Sequence, residues 1–140
     1  MNSRNIETIT ETHLGALLHK GKVRDTYDLG AGYLLMVATD RISAFDLVLG
    51  SGIPEKGSLL CEISSYWFDK TKHIVPNHLI TLANRQNIPN ELNGHPILDN
   101  LDQSIKNRSM IVKKAQRIDI ECVVRGYITG SAWAEYKNDG

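Results

Sequence analysis

Two extended segments on either side of Leu29-Gly30-Ala31-Gly32 commit the early part of this chain to antiparallel β structure. From His19 to Leu29 the residues alternate with period two, which puts Lys20, Lys22 and Arg24 on one face of a strand and Val23 and Asp25 on the other. Tyr33 to Ala38 is an unbroken apolar run of strand length. The intervening glycines read as a hairpin loop and not as a dinucleotide fingerprint, because a strand rather than a helix follows them. The cationic face beside Gly21 is either a cradle for polyphosphate or a solvated edge strand carrying protective lysines. It is not a P-loop. The spacing from Gly15 to Gly21-Lys22 is a residue too long, and Val23 stands where a Ser or Thr should coordinate magnesium.

Composition narrows the function classes. At 140 residues the chain can bury a core, and one domain is the default expectation. Sixteen basic and sixteen acidic side chains balance, which removes the electrostatic argument for a nucleic-acid or membrane-surface partner. The polar start, Met1-Asn2-Ser3-Arg4-Asn5, lacks the apolar core of a signal peptide, and no apolar run approaches membrane-spanning length. Cys61 and Cys122 each fall in an apolar pattern without a Cys or His at metal-binding spacing. Reduced, packed thiols in a cytoplasmic protein are the expectation. No metal ligands are expected in this span.

Beyond the hairpin, Thr39-Asp40-Arg41-Ile42-Ser43-Ala44-Phe45-Asp46 concentrates carboxylates, an arginine and hydroxyls where a buried strand emerges. It is either a cleft-facing site or a loop of Asx and Ser turns. Leu47 to Leu49 reads as a further strand. Ser58 is expected to cap a helix whose apolar face is Leu59, Leu60, Ile63 and Trp67, with the Tyr66-Trp67-Phe68 cluster in the core. Residues 84–108 look like a long, weakly specified connection. Ser109 to Ala115 returns to strand character. Ile118, Ile120, Cys122 and Val124 then alternate with Asp119, Glu121, Val123 and Arg125, predicting a half-buried strand that joins its predecessor as a hairpin or a hinge between lobes. Gly130-Ser131 follows, directly before a short helical pattern at Ala132, Trp133 and Tyr136. The pair is either an ordinary strand-to-helix turn or an anion site at the positive end of a helix, with Arg125 as a second clamp.

Four of these motifs stand in the order and spacing of one family: Gly21-Lys22-Val23-Arg24-Asp25, Ala38 to Asp46, Ile53-Pro54-Glu55-Lys56-Gly57, and Glu121 to Trp133. From about residue 13 to its end the chain resembles the phosphoribosylaminoimidazole-succinocarboxamide synthase (SAICAR synthetase) family. One position departs from the pattern: Asp119 stands where that family usually has proline. The resemblance implies an α+β, ATP-grasp-like fold. Residues 1–114 would be an antiparallel ATP-binding lobe with a packed helix, and residues 115–140 the hinge and the start of a truncated second lobe.

It further implies an ATP-dependent ligase of purine biosynthesis. Carboxyaminoimidazole ribonucleotide would be activated as an acyl phosphate and attacked by L-aspartate, with ADP and phosphate released. On this chain Lys22, Val23, Arg24, Lys114, Arg117 and Glu121 match ATP-binding positions, and Ser43, Asp46, Arg125 and Ser131 match positions around the ribonucleotide. The catalytic groups and the carboxylates that hold Mg2+ are expected in a missing C-terminal half, so this fragment is expected to be inactive alone. A homo-oligomer is allowed. Two readings of another class are a kinase-like lobe, which needs a His-Arg-Asp triplet that the sequence does not contain, and a non-catalytic nucleotide-binding module.

Overall fold

A computed structural model describes residues 7–15, 17–45, 47–120 and 122–140. The expected hairpin forms between β2 (Arg24–Gly30) and β3 (Tyr33–Ala38), in antiparallel register from Arg24 opposite Ala38 to Gly30 opposite Tyr33. Its turn residues Ala31 and Gly32 both take positive φ, 49° and 82°. That geometry follows the twist of the flanking strands, and glycine makes it inexpensive at Gly32. The long period-two segment is not one strand. β1 (Leu17–Lys20) ends before Gly21, the chain turns through Lys22 and Val23, and β1 pairs back antiparallel on β2 with Lys20 opposite Asp25.

β3 runs through the middle of a five-stranded sheet of order β1-β2-β3-β7-β6, where β6 is Leu79–Leu82 and β7 is Ser109–Lys113. Its neighbours on both sides are antiparallel. A central strand is covered on both faces, which explains an apolar run without alternation. Leu35 and Val37 face one core with Tyr27, Leu29 and Ile111; Leu34 and Met36 face the other with Met110 and Val112. The four-residue β6 carries no signal of its own between Pro76 and Asn84.

α1 (Lys56–Thr71) covers the second face, but not with the expected side. Gly57, Cys61 and Ser65 are buried, with Phe68 beside them, while Leu59, Leu60, Ile63, Tyr66 and Trp67 are exposed. Small residues at helical spacing let the helix approach the sheet closely. A Cβ on Gly57 would collide with the Ala38 carbonyl oxygen. Nor is Ser58 the cap: the helix has already begun, and the Ser58 hydroxyl donates to the Glu55 carbonyl (2.9 Å).

The first face is closed by residues 84–107, far from a featureless connection. A 3-10 turn (Asn90–Leu92), α2 (Pro96–Asp99) and α3 (Gln103–Lys106) insert Leu92, Leu98 and Ile105, with Leu101 between them, into the core. His95 Nδ1 and Asp102 Oδ1 accept from the Ile97 and Ile105 amides and start the two helical pieces. A separate two-stranded ribbon, β4 (Arg41–Ala44) and β5 (Leu47–Gly52), stands apart from the sheet.

The alternating segment after β7 does not form the expected strand. Its described residues carry no sheet pairing, and Ile118, Ile120 and Val124 are 75%, 72% and 97% exposed. A β-strand is defined by ladder hydrogen bonds to a partner, and no described strand pairs with this segment. α4 (Ser131–Asp139) then begins at the Gly130-Ser131 pair, with Gly130 at the N-cap position.

Candidate functional site

The turn at Gly21–Val23 is built from below. Arg41, 5% exposed, lies under it and uses all its guanidinium hydrogens. Nε donates to the Lys22 carbonyl (3.1 Å), Nη2 to the Gly21 carbonyl (3.0 Å) and Nη1 to the Thr10 carbonyl (2.7 Å). The fork then closes on Asp25, with Nη2 to Oδ1 at 2.6 Å and Nη1 to Oδ2 at 3.2 Å. The Thr12 hydroxyl also donates to Asp25 (2.7 Å) and lies 2.7 Å from the Tyr27 hydroxyl, which completes the chain of donors. Burial pushes the Asp25 carboxyl up, but Arg41 and Thr12 outweigh it and hold it below the usual carboxylate range.

A second buried pair stands one residue away. Asp40 Oδ1 accepts from Arg108 Nη1 (2.7 Å) and the Gly57 amide (2.8 Å), and Oδ2 accepts from the Ile9 amide (2.8 Å). Burial again raises this carboxyl and the three donors more than offset it, so it too is depressed. Thr39, Asp40 and Arg41 therefore face the interior and lock the N-terminal segment, α1 and the turn together, which is neither the cleft-facing site nor the loop of Asx and Ser turns between which the sequence left this stretch.

The predicted site residues are distributed as follows. Lys22 is exposed and borders an open groove of about 520 Å³ with Lys20, Glu11, Val48 and Leu49. Val23 is half-buried, and its carbonyl accepts from both the amide and the hydroxyl of Thr39, each at 3.0 Å. Arg24 opens instead on a small cavity of about 50 Å³ between the sheet and α1, beside Met36, Cys61 and His78. Lys20, Lys22 and Arg24 therefore do not share one cradle. Lys20 reaches Glu11 at 3.0 Å.

Ser43 is half-buried on β4, opposite Val48 on β5. Lys114 follows β7 directly; its ammonium meets Asp28 of β2 at 2.7 Å and its amide donates to the Gly32 carbonyl (2.8 Å). Arg117 pairs with Asp119 at 2.7 Å, on a residue where the family pattern has proline. Arg125 lies by the start of α4: its Nη1 is 3.7 Å from where a Cβ on Gly130, the residue before Ser131, would stand. Asp46 and Glu121 lie outside the described residues. Neither of the cavities bordered by Lys22 and Arg24 is lined by Arg125 or Ser131.

What sequence reasoning missed is Asp25 and Arg108, the partners that turn Arg41 and Asp40 inward. Among the described residues no group of three or more His, Cys, Asp and Glu side chains is arranged to hold a metal ion. Burial raises the Cys61 thiol to about 11, which makes it a packed side chain and not a nucleophile at neutral pH. No helix among the described residues is long and apolar enough to cross a membrane.

Comparison with known proteins agrees with the motifs. A profile of the SAICAR synthetase family matches residues 17–139. The phosphoribosylaminoimidazole-succinocarboxamide synthase of Thermodesulfovibrio yellowstonii is 49% identical over 134 residues, which are 94% of this chain and 43% of that protein. The Elusimicrobium minutum protein of the same name is 55% identical over 125 residues, 89% of this chain and 40% of its own length. A solved SAICAR synthase superposes with a TM-score of 0.76 at 43% identity, over 95% of this chain and 46% of that one. The Saccharomyces cerevisiae enzyme, solved in complex with SAICAR, gives 0.74 at 41% identity over 96% of this chain and 45% of its own. The chain thus spans less than half the length of these relatives. A β lobe that superposes on them, and a family profile running from β1 to the last turn of α4, lead to one conclusion: this chain belongs to the SAICAR synthetase family.

Proposed function

We propose that this chain is the ATP-binding lobe, with the hinge and the opening of the second lobe, of an ATP-dependent ligase of purine biosynthesis. The ligase joins L-aspartate to carboxyaminoimidazole ribonucleotide. The observation that carries the reading is the braced Gly21–Val23 turn, with Lys22 at its tip and Arg24 at its exit, in a chain matching the family from residue 17 to residue 139. We put the lobe boundary between residues 114 and 115, a reading supported by the end of β7 at Lys113 and the exposure of every described residue from there through Ser131.

The reaction brings anions together twice. A substrate carboxylate oxygen attacks the γ-phosphorus of ATP and ADP leaves. The aspartate amine then attacks the acyl carbon, loses a proton, and expels inorganic phosphate. Both steps need cations and backbone donors to offset repulsion. Lys22, Val23 and Arg24 serve the phosphate end of ATP, and Lys114, Arg117 and Glu121 the hinge side. Arg125 and Ser131 hold the ribonucleotide phosphate at the start of α4, and Ser43 and Asp46 flank its base. Among the described residues no group of three or more His, Cys, Asp and Glu side chains converges on a metal position. The magnesium ligands and the catalytic groups belong to the part of the family that this chain does not span. Free thiols at Cys61 and Cys122 suit a cytoplasmic protein. ATP, the ribonucleotide and aspartate are its partners, and self-association is compatible with the exposed apolar residues of α1.

The test is aspartate-dependent ADP release by the full-length protein and by residues 1–140 alone. The full-length protein releases ADP only when ribonucleotide and aspartate are both present, and the shorter chain releases none. Turnover by the shorter chain, or ADP release indifferent to aspartate, would refute the proposal.

A further inference from the structure

Gly21, Lys22 and Val23 all turn their carbonyls inward. The first two accept from Arg41 Nη2 and Nε, and the third from the Thr39 amide and hydroxyl. None of the peptide bonds among the described residues is cis, and across a planar trans peptide the following N–H is antiparallel to the carbonyl. The N–H groups of Lys22 and Val23 are therefore aimed away from the guanidinium, toward the outer side of the turn. Successive amides presented this way favour an anion.

We infer that Asp25 and Arg41 are positioning residues for this turn, orienting its amides and the Lys22 side chain through the carbonyls they hold, without touching the nucleotide themselves. The inference rests on the reading of Lys22 and Arg24 as ATP-facing. Arg41 suits the task because its planar fork reaches Gly21, Lys22, Thr10 and Asp25 at once. A lysine keeps the charge beside Asp25 but cannot make those bonds together. Asp25 in turn fixes the fork by two-point contact.

The experiment is steady-state kinetics on the full-length protein with ATP and aspartate varied separately, for Arg41→Lys, Asp25→Asn, Asp40→Asn and Lys22→Ala. Arg41→Lys raises KM for ATP about tenfold while kcat and KM for aspartate stay within about threefold, the pattern of lost ATP binding alone. Asp25→Asn, which keeps the shape of the carboxylate, moves KM for ATP in the same direction by less. Asp40→Asn disturbs the neighbouring buried pair, which does not touch the turn. It lowers thermal stability and leaves KM for ATP unchanged. If Arg41→Lys does not fold, Asp25→Asn decides.

An unchanged KM for ATP in both Arg41→Lys and Asp25→Asn, with Lys22→Ala impaired, overturns the positioning role alone. An equal rise in Asp40→Asn also overturns it, by reducing the effect to general loosening of the fold. An unchanged KM in Lys22→Ala removes the ATP-facing reading and this inference with it.

Discussion

Asp40 and Arg41 are neighbours in sequence and belong to different buried ion pairs, one reaching 68 residues forward to Arg108 and the other 16 back to Asp25. Charged residues at a strand end look alike in sequence whether they face a cleft or the interior, and such distant partners leave no local trace. This is why Thr39 to Asp46 was legible as important but not as scaffold. Removing one member of a buried pair leaves the other charge unpaired, so Arg108→Ala is expected to cost about 3–5 kcal/mol, read as a lower urea midpoint. A loss below about 1 kcal/mol would contradict a buried role. The pH dependence follows from both carboxyls. Asp25 and Asp40 have folded values below the ordinary 3.8, so their contribution is complete above that pH and is lost as pH falls through the depressed values. A circular-dichroism series at fixed urea should show stability falling below about pH 4, with the fall reduced in Asp40→Asn. Unchanged stability down to pH 2 would count against it.

At the scale of elements, periodicity found the β2–β3 hairpin, β5, β7 and the start of α4, because turn chemistry and strand patterning are local. It chose the wrong face of α1. Large apolar residues normally mark the buried side, but here Gly57 must sit against the Ala38 carbonyl, so the packed stripe is small. Gly57→Ala makes the case testable by sign. In an open helix the change would stabilise by roughly 1 kcal/mol; here it drives a methyl into backbone and is expected to destabilise by at least about 2 kcal/mol. A raised melting temperature would show that α1 can shift away from β3. Residues 84–107 hid their role because Leu92, Leu98, Leu101 and Ile105 follow no single period across three short helical pieces. Ile118 to Val124 has a strand's alternation without a partner strand among the described residues, and alternation alone cannot supply the missing hydrogen bonds.

For the whole molecule, the sheet is covered on both faces by its own chain, whereas the segment from Lys113 to Ser131 is exposed at every described residue. The family was legible because its motifs lie in order along the sequence. The relation between Lys22 and Arg125 was not, since the two stand far apart in the sequence and no local pattern links them. Under the proposed function Lys22 and Arg125 serve two different phosphorylated molecules, and crossed titration of the full-length protein tests that most directly. Lys22→Ala should weaken ATP by about tenfold or more and leave ribonucleotide affinity within about twofold, while Arg125→Ala should do the reverse. Unchanged ATP affinity in the first variant, or unchanged ribonucleotide affinity in the second, would contradict the account.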